Sequence, residues 1–127
     1  PKINSNQVLN AYSNFKDHLK SQEKTIRNYL VRKRKFYVVA AGALLPILNY
    51  HMNGVINKAN GILDDDLKKV GKYFPNISTK IIKMKSTNLK GSVCLIGSVH
   101  SHITTRKIIS ILIKKRAEII LLPTITF

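Results

Sequence analysis

Residues 32–48 constrain this chain more than any other stretch. Arg32-Lys33-Arg34-Lys35 runs directly into Phe36-Tyr37-Val38-Val39-Ala40-Ala41-Gly42-Ala43-Leu44-Leu45-Pro46-Ile47-Leu48. Four consecutive cations meet thirteen residues without a charge. The first half requires water or phosphate and the second requires burial. Their junction therefore belongs at a surface, with the chain turning inward at Phe36.

Two arrangements satisfy the apolar run. In one, residues 36–41 form a buried strand, because Phe, Tyr and Val suit a pleated surface, and residues 43–56 form a helix behind it. In the other, the helix runs on and kinks at Pro46. Extended through Asn57, the uncharged window reaches 22 residues, enough to span a bilayer. Against a span stand Asn49, His51 and Asn53, which are costly in lipid, and the low hydrophobicity of Gly42, Pro46 and Gly54.

Before the junction the pattern is helical. Residues 1–6 read as a lead with Ser5 and Asn6 as candidate N-caps. Over residues 7–35, Val8, Tyr12, Phe15, Leu19, Ile26, Tyr29 and Leu30 recur at helical spacing, with a polar gap at Ser21-Gln22 that allows a break. After the junction the signals alternate. Asn60-Gly61 marks a turn or a helix stop, and Asp64-Asp65-Asp66 is placed to cap a helix over 63–73 that ends before Pro75. Residues 76–85 read as a half-exposed strand, 86–91 as a loop, and 92–99 as the best buried strand. Residues 103–115 read as an amphipathic helix with Ile108, Ile109, Leu112 and Ile113 inward. Residues 118–122 read as a last strand. The fold class expected is α+β: a long N-terminal helical region, then a small mixed sheet (strand–loop–strand–helix–strand) packed with helices. One domain over 1–127 is expected, with 1–35 a basic helical arm and 76–127 the α/β core.

Charge sets the partner. There are 22 Lys and Arg against 6 Asp and Glu, a net +16. Such an excess repels itself unless a polyanion offsets it, so nucleic acid is the expected partner, RNA slightly ahead of DNA, with an anionic membrane surface second. Seventeen of the cations are Lys, which acts as a point charge and reads bases poorly compared with Arg. The single cysteine, Cys94, excludes an internal disulfide and a Cys-based zinc site. It is compatible with an intracellular, reducing compartment such as cytoplasm or an organelle matrix. The first 30 residues lack the apolar segment of a signal peptide.

Catalytic chemistry is not legible. His100-Ser101-His102 puts two rings on one side of an extended backbone, but a metal would need further ligands that six acids, three in one run, do not supply. Asp64, Asp65 and Asp66 as helical neighbours point about 100° apart and do not converge on one ion. Cys94 lies among Val93, Leu95 and Ile96, an apolar setting that makes a thiol inert. No metal, cofactor or enzyme activity is expected. What remains are cation clusters. The candidate nucleic-acid-binding residues are Arg27, Arg32, Lys33, Arg34 and Lys35, then Lys83, Lys85 and Lys90, then Arg106, Lys107, Lys114, Lys115 and Arg116. Lys80 stands in the cluster of Lys83, Lys85 and Lys90, and Lys68, Lys69 and Lys72 form a further cluster. Tyr29, Phe36 and Tyr37 flank the first cluster and are candidates for stacking on bases.

Residues 10–36 also resemble, through Thr25, Ile26 and Tyr29 followed by Arg32 and Lys33, the N-terminal helical arm of tyrosine recombinases. That resemblance implies a basic helix lying along DNA, covers about a fifth of the chain, and carries no catalytic residue with it. The expected function is a non-enzymatic nucleic-acid-binding subunit of a larger, ribosome-like ribonucleoprotein assembly, held by Lys and Arg on phosphates. The alternatives are a small basic subunit of a membrane complex with residues 36–57 in the bilayer, and a viral or nucleoid DNA-binding protein.

Overall fold

The computed structural model describes residues 4–97 and 102–122. Helix α1 spans Ser5–Val31 and runs unbroken through Ser21-Gln22, because neither residue is a helix breaker and Thr25 Oγ1 donates back to Ser21 O at 3.1 Å. The cap lies one residue earlier than Ser5. Asn4 accepts from the Gln7 amide at 2.9 Å, and the Gln7 side chain accepts from the Asn4 amide at 2.8 Å, a reciprocal capping box.

Five strands follow: β1 Phe36–Val39, β2 Gly61–Leu63, β3 Ile81–Ile82, β4 Val93–Ile96 and β5 Glu118–Ile120. Helix α2 spans Leu45–His51 and α3 His102–Lys114, and Val55–Lys58 forms a single 3-10 turn. The class is as expected, a long N-terminal helix and a small sheet packed with helices. In detail the sheet is parallel throughout rather than mixed, in the order β3-β2-β1-β4-β5. Three of its strands come from residues 36–82, so the sheet is not confined to 76–127.

Alternation along the strands divides the core between two faces. Phe36, Val38, Ile62 and Leu95 face Leu19 and Ile26 of α1 and Leu45, Leu48 and Met52. Tyr37, Val39, Leu63, Cys94 and Ile96 face Ile108 and Leu112 of α3. The result is three layers, helix on sheet on helix. Residues 36–57 thus fold into the protein as strand, α2 and 3-10 turn, with Phe36, Val38, Leu45, Leu48 and Met52 buried and Leu44, Ile47 and Tyr50 exposed. Pro46 sits in the first turn of α2, where its missing N–H costs nothing. Among the described residues no helix is long and apolar enough to cross a membrane.

Several expectations need correction. The helix over 63–73 does not form. Leu63 ends β2, and instead of capping a helix the aspartates accept from the distant Ala41 and Lys85 amides and from the Asp66 and Lys68 amides of their own segment. Residues 71–72 then line the outer edge of β3, with the Gly71 amide on Ile81 O at 2.7 Å and the Ile81 amide on Lys72 O at 3.0 Å. The strand over 76–85 contracts to two residues, since only Ile81 and Ile82 reach β2. In α3, Ile113 is 62% exposed, because it lies on the flank of the helix away from the sheet. β5 is a half-buried edge strand rather than a core one, whereas β4 is buried along its whole length. Asn60-Gly61 is a stop rather than a turn, following the 3-10 turn that ends at Lys58. Gly61 is a strand residue, and Asn60 Oδ1 accepts from the Phe36 amide at 3.0 Å.

Candidate nucleic-acid interface

In an all-parallel sheet every strand begins at the same end, and the antiparallel return helices finish there. The amino end of this sheet therefore gathers the residues that precede each strand together with the last turns of α1 and α3. Register makes this concrete. Phe36 pairs with Val93, and Val93 with Glu118, so Lys35, Ser92 and Ala117 lie in the next row outward. One row further, the Gly91 amide donates to Arg116 O at 3.1 Å, and Arg34 donates to Gly91 O through Nε at 3.2 Å and a terminal nitrogen at 3.1 Å.

Both helices end at this place in the same way. After α1, the Lys33 amide bonds to Leu30 O at 2.9 Å and the Arg34 amide to Tyr29 O at 3.1 Å. After α3, the Arg116 amide bonds to Ile113 O at 3.0 Å and the Ala117 amide to Leu112 O at 3.1 Å. These are two Schellman terminations. The left-handed residue of each is a cation, Lys33 at φ 60° and Arg116 at φ 59°. Glycine is the usual residue there, and a side chain with a Cβ costs about 1 kcal/mol or more.

The predicted binding residues divide. Arg32, Lys33, Lys35, Lys90, Lys114 and Arg116 are exposed at the amino end, and none forms an ion pair among the described residues. Three others are engaged internally. Arg27 Nε lies 2.7 Å from the Glu23 carboxylate, and its terminal nitrogen donates to Asn53 O. Arg34 bonds Glu118 at 2.9 Å and its guanidinium lies over the Tyr29 ring, 4.6 Å from the centroid. Lys115 Nζ donates to Lys85 O and Thr87 O at 3.1 Å each, tying α3 to the loop after β3. Lys83 and Lys85 line a surface pocket with Asp65 and Leu67 of the segment after β2, toward the carboxyl end. Arg106 and Lys107 lie on the outward face of α3 with Ile103 and Ile111.

Stacking by aromatics needs correction too. Phe36 and Tyr37 are core residues. Tyr29 is covered by Arg34, and its hydroxyl is held up in pKa, first by its hydrogen bond to Glu118 and then by burial. One cation of this end lies outside the sequence clusters, Lys58. The signal that finds it is position: every strand is preceded within three residues by an exposed Lys or Arg. These are Lys35, Lys58, Lys80, Lys90 and Arg116, although register sets Lys80 level with Gly61 and Tyr37 rather than with Lys58.

The carboxyl end mixes both signs of charge, with Asp64, Asp65 and Asp66 beside Lys69, Lys83 and Lys85. Chain order reverses between β1 and β4, the place where parallel sheets commonly take ligands. Here the turn after β1 is tied down. Asp64 Oδ2 accepts from the Ala41 amide and Oδ1 from the Asp66 amide, both at 2.9 Å. Lys69 Nζ donates to Ala41 O at 3.1 Å and stands 4.0 Å from Asp64. A Cβ on Gly97 would lie 2.5 Å from Val38 Cγ1 and 2.7 Å from Leu45 Cδ2, so this glycine lets α2 close against β4. Asp65 Oδ1 accepts from the Lys85 amide. The three aspartates act as backbone acceptors rather than as a helix cap or a group of metal ligands, and no metal-holding group of His, Cys, Asp or Glu occurs among the described residues. His100 and Ser101 lie outside the described residues. Cys94 is buried, and burial pushes its thiol up, opposed by the Ser92 hydroxyl 3.6 Å away. Compared with known proteins, the chain matches no family model, no curated protein and no solved structure.

Proposed function

We propose that this chain is a non-enzymatic nucleic-acid-binding subunit of a larger ribonucleoprotein assembly, RNA ahead of DNA, and that it binds through the amino end of its sheet. The mechanism is phosphate neutralisation with little base readout. One observation carries the reading: Lys33 and Arg116, each in a left-handed conformation that glycine would hold at lower cost, end the helices on the two faces of the sheet at the same end of it. Strained residues persist where something other than stability retains them, and here that something is charge. The competing explanation is that cations complement the negative ends of α1 and α3, an effect of about 0.3–1 kcal/mol.

A single double variant separates the two. Lys33→Gly with Arg116→Gly relieves the backbone while removing both charges, so stability should change by less than about 1 kcal/mol. Fluorescence anisotropy with a labelled RNA across a salt series should show log affinity falling linearly with log salt. The slope should flatten in the variant by about 0.9 per lost duplex contact. An unchanged slope, or a wild-type protein whose RNA binding ignores salt, overturns the proposal.

A further inference from the structure

We infer that the outward face of α3 is a docking surface for an acidic amphipathic helix of another protein. On the inward face of α3, Ile108 and Leu112 pack against the sheet. The outward face carries two ridges of side chains at four-residue steps, Ile103, Lys107 and Ile111 beside Arg106 and Ser110. Ser110, the smallest of the five, leaves a shallow groove between the ridges. Ile103 is 68% exposed and Ile111 39%. They stand roughly 12 Å apart along the helix axis, with both cations between them in the sequence. Neither Arg106 nor Lys107 forms an ion pair among the described residues. The surface occupies the first half of α3, away from the amino end of the sheet where that helix finishes.

Charge decides the occupant. The whole chain has 6 acids. Glu23 and Glu118 pair with Arg27 and Arg34, and Asp64, Asp65 and Asp66 accept from backbone amides. Asp17 belongs to α1, on the other face of the sheet. Carboxylates for Arg106 and Lys107 therefore come from outside the chain. A second copy is a poor source, because two chains of net +16 repel each other. Nucleic acid would meet the cations and leave both isoleucines without an apolar partner. A helix that lies in a bilayer keeps its charges on the face opposite the apolar one, whereas here Lys107 stands between the two isoleucines on one ridge. An acidic amphipathic helix meets both needs at once. Its apolar side chains cover Ile103 and Ile111, its carboxylates face Arg106 and Lys107 around them, and its own four-residue ridges fit the groove.

The test uses the full chain and a labelled helical peptide of about 18 residues, or five turns, with Leu along one face and Glu and Ala elsewhere. A control peptide keeps every Glu and has Gln in place of each Leu. Fluorescence anisotropy at physiological salt should show the Leu peptide bound about tenfold or more tightly than the control. Ile103→Gln with Ile111→Gln changes two exposed positions, so the melting midpoint should stay near wild type. That pair should weaken the Leu peptide by about tenfold and leave the affinity for duplex RNA unchanged. Arg106→Glu with Lys107→Glu should weaken the Leu peptide as much, through repulsion. A control peptide that binds as tightly as the Leu peptide overturns the inference, as does a Leu peptide that does not bind or whose affinity either pair leaves at the wild-type value. Loss of RNA affinity in the isoleucine pair also overturns it, by assigning the face to RNA. So does sedimentation of wild type, but not of that pair, with phosphatidylserine–phosphatidylcholine vesicles, which would assign the face to a membrane.

Discussion

The two ends of the same sheet are built on opposite terms. At the carboxyl end the charges are spent on the fold: Asp64, Asp65 and Asp66 accept from backbone amides of residues 41, 66, 68 and 85, and Lys69 closes the set on Ala41 O. At the amino end one brace does the structural work, Arg34 with Gly91, Glu118 and Tyr29. Around it Arg32, Lys33, Lys35, Lys90, Lys114 and Arg116 stand exposed and unneutralised by any acid among the described residues. The difference teaches that a count of charges is a poor guide to a surface. Whether a charged group faces its own backbone or solvent decides what it is for.

If both ends depend on one core, damage at its centre should remove them together. Leu95 is fully buried in β4, an inner strand of the sheet, facing Leu19 and Ile26 of α1 and α2's Leu45. Leu95→Asp would bury an unpaired charge and should cost more than about 4 kcal/mol, abolishing the folded state. Circular dichroism showing a native fold in that variant would break the picture of a shared core.

The carboxyl end should fail in stability alone. Asp64→Ala leaves the Ala41 and Asp66 amides without their partner and should cost about 1–3 kcal/mol in urea unfolding. The salt slope for nucleic acid should stay at the wild-type value. A changed slope would mean the two ends are not separate in function.

Glu23 probes the α1 layer that joins the ends. Burial alone would raise its carboxyl, but hydrogen bonds from Arg27 and Asn53 and the charges of Arg27 and Lys24 outweigh it and hold the group below the ordinary carboxylate range. A depressed folded pKa stabilises above the unfolded value, about 4.3, and that contribution disappears as pH falls through the lower folded value. Glu23→Gln should therefore be less stable than wild type by about 1–3 kcal/mol at neutral pH. The gap should close on acidification below about pH 4. A gap that is constant from pH 7 to pH 3 would show that shape, not charge, holds Asn53.

The smallest stability effect belongs to the amino end. Lys35→Gln should change stability by less than about 0.5 kcal/mol and flatten the duplex salt slope by about 0.9. Arg34→Gln should do the reverse, because its guanidinium binds Gly91 O and Glu118 rather than solvent. Parallel melts and salt titrations of the two neighbours decide whether the division between brace and free charge is right.

Much of the fold was legible because burial and periodicity are local in sequence. Residues 93–96 are a continuous apolar run between turn signals, and the helix over 102–114 repeats its apolar positions, so both elements were readable from the local residue pattern alone. The failures share one cause. Asp64-Asp65-Asp66 looks like a helix cap locally, and its real partners, Ala41 and Lys85, are supplied only by tertiary structure. Ile81 and Ile82 are a strand only as far as β2 offers them a neighbour. Of the candidate site, residue type was legible and direction was not: Arg34 and Lys35 are adjacent, yet one turns onto backbone and the other to water.

By itself, then, the sequence determined the cationic surplus, the inward turn at Phe36, the long first helix and the buried β4, since each follows from the transfer cost of a side chain or from a period shorter than one element. Tertiary structure alone decided that every strand runs the same way, that α1 and α3 therefore finish at one end of the sheet, and that Lys58 joins Lys35, Lys90 and Arg116 there. Strand direction is set by which segments pair, and pairing is a contact between residues far apart in the chain, which no local pattern of residue types contains.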